Sequence, residues 1–208
     1  MQLTLLADTH GLHRQLPELA GEVLIHAGDF CGPDRKALPV DFFDWLADLD
    51  FRHKILIAGN HDFIAEEQPD FFVACLPPEV IYLEDDGCWI EGYHFWGSPV
   101  TPNLPSWAFG KHQQQSLHPH WEKIPATVDI LITHTPPAGT LDQSSAGYEL
   151  GCPELSSALP RIKPKLHVFG HVHNSYGEVK EGGIHFVNAA NMKSGGGLSN
   201  LPIEVTLP

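Results

Sequence analysis

Positive charge is scarce in this chain. Its 208 residues carry 12 lysines and arginines against 26 aspartates and glutamates, a formal net charge of -14. A surface of that sign repels polyanions at long range, which argues against a nucleic-acid polymer as partner, though not against a small anion drawn in by bound cations. Cysteine is sparse too. Cys31, Cys75, Cys88 and Cys152 lie far apart without a C-x-x-C spacing, so disulfides are not called for and a reducing cytoplasm fits. No apolar run approaches the length that spans a bilayer, which points away from a membrane. The stretch from Met1 to Asp8 has no basic flank and reads as a first strand, not a signal peptide. Internal repeats and low-complexity segments are absent, and the length predicts a single domain over residues 1–208. Against these shortages stand fourteen histidines, a side chain that binds metals and carries protons near neutral pH.

Short apolar, β-branched runs recur along the chain, each stopped by small or turn residues, as buried strands are. They cover 2–7, 22–27, 54–58, 80–83, 88–91, 93–96, 128–133, 166–169, 184–188 and 203–207. Val40, Phe43, Leu46 and Leu49 repeat at helical spacing after Pro39, a weaker helical stretch covers 62–75, and 153–159 forms another with proline in its first turn. The first half alternates strand and helix, as a parallel sheet requires. The middle reads as a meander of close strands, as an antiparallel sheet requires, so a mixed-sheet α/β sandwich is expected. The Pro/Gly-rich pieces 97–110 and 194–200 read as long loops.

Polar residues terminate the strongest strands. The first ends in Asp8-Thr9-His10, the second in Gly28-Asp29, the third in Gly59-Asn60-His61-Asp62. The run 128–133 ends in His134, and 166–169 ends in Gly170-His171-Val172-His173. In extended chain, residues i and i+2 face the same side, so His171 and His173 address one point in space. Ligand sites in α/β sheets lie beyond the C-terminal ends of the strands. Singly each piece is weak; their order and shared position at strand ends are not.

In that order, Asp8-x-His10, Gly28-Asp29, Gly59-Asn60-His61-Asp62, His134 and Gly170-His171-x-His173 resemble the five motif blocks of the calcineurin-like metallophosphoesterases. The segments 96–102, 133–137 and 188–190 are similar to the subgroup that contains the brain-expressed metallophosphoesterase-domain proteins and their bacterial relatives. The resemblance implies a four-layer αββα sandwich of two mixed sheets flanked by helices. It also implies two divalent metal ions, manganese favoured, with iron, zinc, nickel or cobalt as alternatives. One ion would take Asp8, His10, Asp29 and His173, the other Asp29, Asn60, His134 and His171, with Asp29 bridging. Such a mixed nitrogen and oxygen set differs from a closed structural zinc site and from an all-oxygen calcium site.

The activity implied is hydrolysis of small phosphodiesters, cyclic nucleotides among them, by a metal-bridging hydroxide. His61 would assist the leaving group as a catalytic residue, with Asp62 orienting its imidazole and keeping it cationic. Cations near the motifs are few, with Arg14, Lys111 and Lys193 as the plausible phosphate clamps, which favours a diester over the more highly charged monoester. His112, His118 and His120, near Trp107 and Trp121, read as an exposed loop or as a lid over the substrate. His13, His26, His53, His94, His167 and His185 read as structural or exposed. The alternatives are a phosphomonoesterase or phosphoprotein phosphatase on the same metals, and a non-catalytic scaffold on the same fold.

Overall fold

The computed structural model describes residues 1–32, 34, 36–112 and 114–208. In chain order its strands are β1 (Gln2–Leu6), β2 (Val23–Ala27), β3 (His53–Ile57), β4 (Val80–Tyr82), β5 (Asp86–Ile90), β6 (Tyr93–Ser98), β7 (Ile130–Thr133), β8 (Leu166–Phe169), β9 (Gly177–Glu181), β10 (Ile184–Asn188) and β11 (Ile203–Thr206). The helices are α1 (Val40–Asp48), α2 (Phe63–Glu67), α3 (Pro69–Cys75), α4 (His118–Glu122) and α5 (Pro153–Ile162). One sheet has the order β11-β1-β2-β3-β4 and the other β5-β6-β7-β8-β10-β9. In the first, β1 to β4 run parallel and β11 is antiparallel. In the second, β6, β7, β8 and β10 run parallel between antiparallel edges β5 and β9.

Alternation along the strands builds the layers. Leu3, Leu5, Val23, Ile25, Ile55 and Ile57 face Phe95, Ile130, Ile132, Leu166 and Val168 in the core between the sheets. Residues one step away point outward. Leu6, Leu24 and Leu56 meet Phe42 and Leu46 of α1, Ile64 of α2 and Phe72 of α3. On the other side Leu131, Phe169 and Phe186 meet Trp121 of α4 and Leu155, Leu159 and Ile162 of α5. Both faces of both sheets are therefore covered, which is the two-sheet, helix-flanked α/β arrangement expected.

Several local expectations change. The middle of the chain is not a meander. β4 joins the first sheet beside β3, β5 and β6 form one antiparallel pair, and β7 returns parallel to β6. A parallel return needs a crossover of a dozen residues or more, and the segment between β6 and β7, which contains α4, supplies it. The stretch 62–75 is two helices broken at Gln68 (φ -139°), because the residue before Pro69 is pushed out of helical conformation. Strand β9, absent from the expectation, has the sequence GEVKE and is mostly exposed; a charged edge strand lacks the apolar pattern that betrays buried ones.

Two histidines sit in the outer hydrophobic layers. His26 Nε2 lies 2.9 Å from Thr9 Oγ1. Thr133 Oγ1 gives its proton to the Thr135 carbonyl at 2.6 Å, so it accepts from His167 Nε2 at 2.9 Å. Burial pulls both imidazoles down to a pKa of about 3, so both are neutral in the fold. Their folded values lie below the unfolded value of about 6.5, so their contribution is complete above that pH and is lost progressively as pH falls from there toward about 3. At pH 5 each costs about 2 kcal/mol of stability. The urea midpoint should therefore drop between pH 7 and pH 5, and His167→Phe, which leaves Thr133 bonded to Thr135, should flatten that drop. An unchanged pH dependence in His167→Phe would contradict the assignment.

Candidate metal centre

Strands β1, β2, β3, β7 and β8 deliver Asp8 and His10, Asp29, Asn60 and His61, His134, and His171 and His173 to one edge of the sandwich. The turns that do this are tight. Asp8 (φ 54°), His10 (φ 45°), Asp29 (φ 57°) and His171 (φ 67°) all adopt left-handed backbone, a conformation that costs most residues energy and that Asp and His tolerate better. The glycines of the motifs are spacers. A Cβ on Gly59 would lie 2.3 Å from Asp29 Oδ1 and 2.6 Å from His134 Cε1, and one on Gly170 would lie 2.2 Å from Asp8 Oδ2. Only glycine lets the chain pass so close to the carboxylates.

The side chains converge in overlapping groups. Asp8, His10 and His173 form one; His10, Asp29 and His61 another; Asp8, Asp29 and His134 a third, each able to hold a metal ion. Asp29 Oδ2 lies 3.6 Å from His10 Nε2 on one side and 3.4 Å from His134 Nε2 on the other, so one oxygen faces both halves of the centre. Its Oδ1 accepts the His61 backbone N–H at 2.7 Å, which fixes the carboxylate plane. Asp8 is held likewise: Oδ2 accepts the His171 N–H at 2.8 Å, while Oδ1 faces His173 Nε2 at 3.3 Å. Asn60 Oδ1 lies 2.9 Å from both His134 Nε2 and His171 Nδ1.

This geometry demands positive charge. His134 Nδ1 is 2.9 Å from the Ala27 carbonyl, which can only accept, so Nδ1 carries a proton and neutral His134 has a bare Nε2. That bare nitrogen points at Asn60 Oδ1 and Asp29 Oδ2, three acceptors facing one another. Asp8 Oδ1 and His10 Nε2 are buried without a hydrogen-bond partner among the described residues. Orphaned acceptors are costly, and a proton or a metal ion must stand among them. In the metal-free protein the proton takes the place. Burial opposes charge on His134, yet the Asp29 carboxylate beside it lifts its pKa to about 9. His173 is raised in the same way, against burial, by Asp8. Reciprocally, Asp8 and Asp29 stay below the usual carboxylate range in spite of burial, through His173 and His134 respectively. His171, buried and next to His134, is lowered to about 4 and is neutral. Imidazole and carboxylate donors turned toward one another in this way fit divalent transition ions.

Comparison with known proteins agrees. Residues 1–175 match the family model described as calcineurin-like phosphoesterase. The chain belongs to that family. It is 36% identical to human metallophosphoesterase domain-containing protein 1, over 97% of this chain and 69% of that protein. It is 31% identical to a UPF0046 protein of Caenorhabditis elegans, over 100% of this chain and 76% of the relative. Among solved structures, TT1561 of Thermus thermophilus superposes with a TM-score of 0.60 at 15% identity, covering 90% of this chain and 88% of that one. GAP50, the anchor in the inner membrane complex of Plasmodium, does so at 0.53 and 12% identity, covering 96% and 75%. These two share the fold.

In this calcineurin-like phosphoesterase Asp62, expected to orient His61, is tied to backbone amides. Its carboxylate accepts the backbone N–H groups of Gly59 (2.7 Å), Asp29 (2.8 Å) and Cys31 (2.8 Å), and is fully buried. Asp62 thus ties the turn after β2 to the turn after β3 and fixes Asp29, and it is the Asp29 carboxylate that lies 4.0 Å from His61 Nε2. Burial and the nearby Asp29 charge push Asp62 up to a pKa of about 7, opposed by those amides.

The residues read as an exposed loop or a lid separate into parts. Exposed His118 pairs with Glu122, His120 bonds Asp85, and Trp121 is buried in the outer core. Trp107 instead reaches the centre, with its ring 4.6 Å from that of His61, while the Ala108 N–H donates to the Asn60 carbonyl at 3.2 Å. Asn191 was not anticipated. It stitches the sheets together beside Asp8, accepting the Ala7 N–H on its side chain at 3.3 Å and donating its own N–H to the Ala7 carbonyl at 2.8 Å. The Asn188-Ala189-Ala190 segment pointed at this region, but no local pattern marks the next residue as a cross-sheet brace.

Because ligand nitrogens must be bare, metal loading displaces these protons. Affinity should rise with pH through about 9, where half of His134 has lost its proton without help. Calorimetric titration with manganese at pH 7, repeated in buffers of different ionisation enthalpy, should report release of at least one proton per protein. Zero release would mean that His134 is neutral before metal arrives.

Proposed function

We propose that the protein hydrolyses small phosphodiesters, cyclic nucleotides among them, with two divalent ions, manganese by preference. Asp8, His10, Asp29 and His173 would hold one, and Asp29, Asn60, His134 and His171 the other. The observation that carries the reading is the single Asp29 oxygen facing imidazoles on both sides, 3.6 Å from His10 and 3.4 Å from His134. A shared anion is what two neighbouring dications need to offset their repulsion. Ions held there supply Lewis acidity at the phosphate oxygens and acidify the attacking water.

The chain's own groups do the rest. Asp62 and Asn191 hold the backbone that presents Asp29 and Asp8. His61 stands at the mouth, its backbone tied to Asp29 and its ring between His10 and Trp107, both at 4.6 Å between centroids. Its Nε2 is the atom we assign to the departing alkoxide, as proton donor. Preference for diesters is supported by the state of the expected clamps. Arg14 bonds Asp41 at 2.8 Å, Lys111 lines a separate cavity with Glu84 and Asp85, and Lys193 is exposed. None of these three expected clamps would then share the charge of a monoester dianion with the metals. The four cysteines stand free, as a reducing cytoplasm would keep them, and among the described residues no helix is long and apolar enough to cross a membrane.

The family fold also serves an anchor in the Plasmodium neighbour, so activity has to be measured on this chain. Manganese-loaded protein should cleave bis-p-nitrophenyl phosphate with higher kcat/KM than p-nitrophenyl phosphate. His61→Ala should keep both metals and lose about 10²- to 10⁴-fold in kcat on an alkyl diester, less on a p-nitrophenyl one. Equal losses on the two would assign His61 to phosphate positioning, a preference for monoesters would favour the phosphatase reading, and inactivity on both would favour the scaffold.

A further inference from the structure

The centre opens to solvent unevenly. His134 is fully buried and Asn60 nearly so, whereas His10, His61 and His173 keep partial exposure. On that side lies an open cleft of about 590 Å³, and beyond the three imidazoles its walls are Gly11, Leu12, Gly32 and Met192. These come from three places, the turn after β1, the turn after β2 and the segment after β10. Among the described lining residues there is no carboxylate, ammonium or guanidinium. The floor is thin because Gly11 and Gly32 touch: a Cβ on Gly11 would come 2.9 Å from the Gly32 Cα. The half-buried side chains of Leu12 and Met192 offer carbon surface next to a centre that is otherwise strongly polar.

Against the described Gly11, Leu12, Gly32 and Met192 part of the wall a charged group would lose hydration without a partner, while an uncharged apolar one would gain from the transfer. We infer that this cleft is the subsite for an uncharged, flat, apolar substituent of the phosphoester, seated between Leu12 and Met192 over the Gly11–Gly32 floor. The inference rests on the metal-centre reading only for the phosphate, which anchors the substituent at the mouth of the cleft. It makes the substrate class narrower than any small diester: one carrying an aromatic or similarly flat group on the phosphate.

Gly32 provides the test. Among the described atoms a Cβ there meets nothing closer than the Gly11 Cα at 3.8 Å, and its backbone is not left-handed, so Gly32→Val adds carbon to the cleft wall without displacing a ligand residue. Methylphosphonate and benzylphosphonate have a C–P bond that hydrolysis does not touch, so their binding to manganese-loaded protein can be followed by calorimetry at a pH where both are dianions. The wild type should bind benzylphosphonate about tenfold more tightly than methylphosphonate, as roughly two methylenes' worth of buried carbon implies. Gly32→Val should bring the two to within about twofold of each other, with metal content and methylphosphonate affinity reporting that the centre is intact. As a second variant, Met192→Asp should cost benzylphosphonate more than methylphosphonate. Equal affinities in the wild type, or an advantage that survives both substitutions, would overturn the inference. Tight benzylphosphonate binding by a protein that cleaves no ester would leave the subsite standing and remove the hydrolase reading instead.

Discussion

Two carboxylates, Asp8 and Asp29, are buried to 0% and 2% exposure within one cluster, and everything around them answers that electrostatic constraint. An isolated buried carboxylate is expensive enough to take up a proton or unfold its surroundings. Here the pair is surrounded by imidazoles that each carboxylate polarises in turn. Protons can fill the role, as the raised values of His134 and His173 show. They fill it incompletely, since Asp8 Oδ1, though it faces His173 Nε2, and His10 Nε2 have no hydrogen-bond partner among the described residues. Divalent cations would satisfy all of these atoms together, which is why the arrangement is more readily understood as a metal centre than as a polar core.

The backbone is organised to keep this costly cluster in place. Left-handed conformations at Asp8, His10, Asp29 and His171 turn the chain inward after β1, β2 and β8, and such strain persists only where the surroundings over-determine it. Asp62 does so for Asp29 and Asn60, by binding amides of both turns. Asn191 does so for Asp8, by joining the end of β1 to the segment after β10. The hydrophobic layers give these braces rigid ends. Val23, Ile25 and Ile55 on one sheet and Ile130 and Val168 on the other lock the strands whose tips carry the centre.

Much of this was legible in the sequence because strand ends are short-range features. A run such as Leu166 to Phe169 followed by Gly-His-x-His declares both the strand and the residues it delivers, and every expected ligand reaches the same edge. What was hidden depends on contacts between distant segments. Asp62 follows His61, and adjacency suggested a partnership, whereas the amides it binds belong to turns that only the folded sheet brings together. Sequence closeness misled at 80–96, where three neighbouring strands divide between two sheets. Strand β9 escaped because its exposed Glu178, Lys180 and Glu181 obscure any alternation, and Trp107 because an aromatic in a Pro/Gly-rich loop gives no sign of what it will pack on.

The central claim is that Asp29 is the shared anion of two cation sites, and its removal separates that claim from every alternative. Wild-type protein and Asp29→Ala, both confirmed as folded by circular dichroism, would be saturated with manganese, freed of loosely held ions and analysed for metal. The account predicts about two equivalents in the wild type and loss of both in the variant, since each ion loses a ligand and the site loses the charge that offsets their repulsion. Two equivalents retained by Asp29→Ala would contradict it.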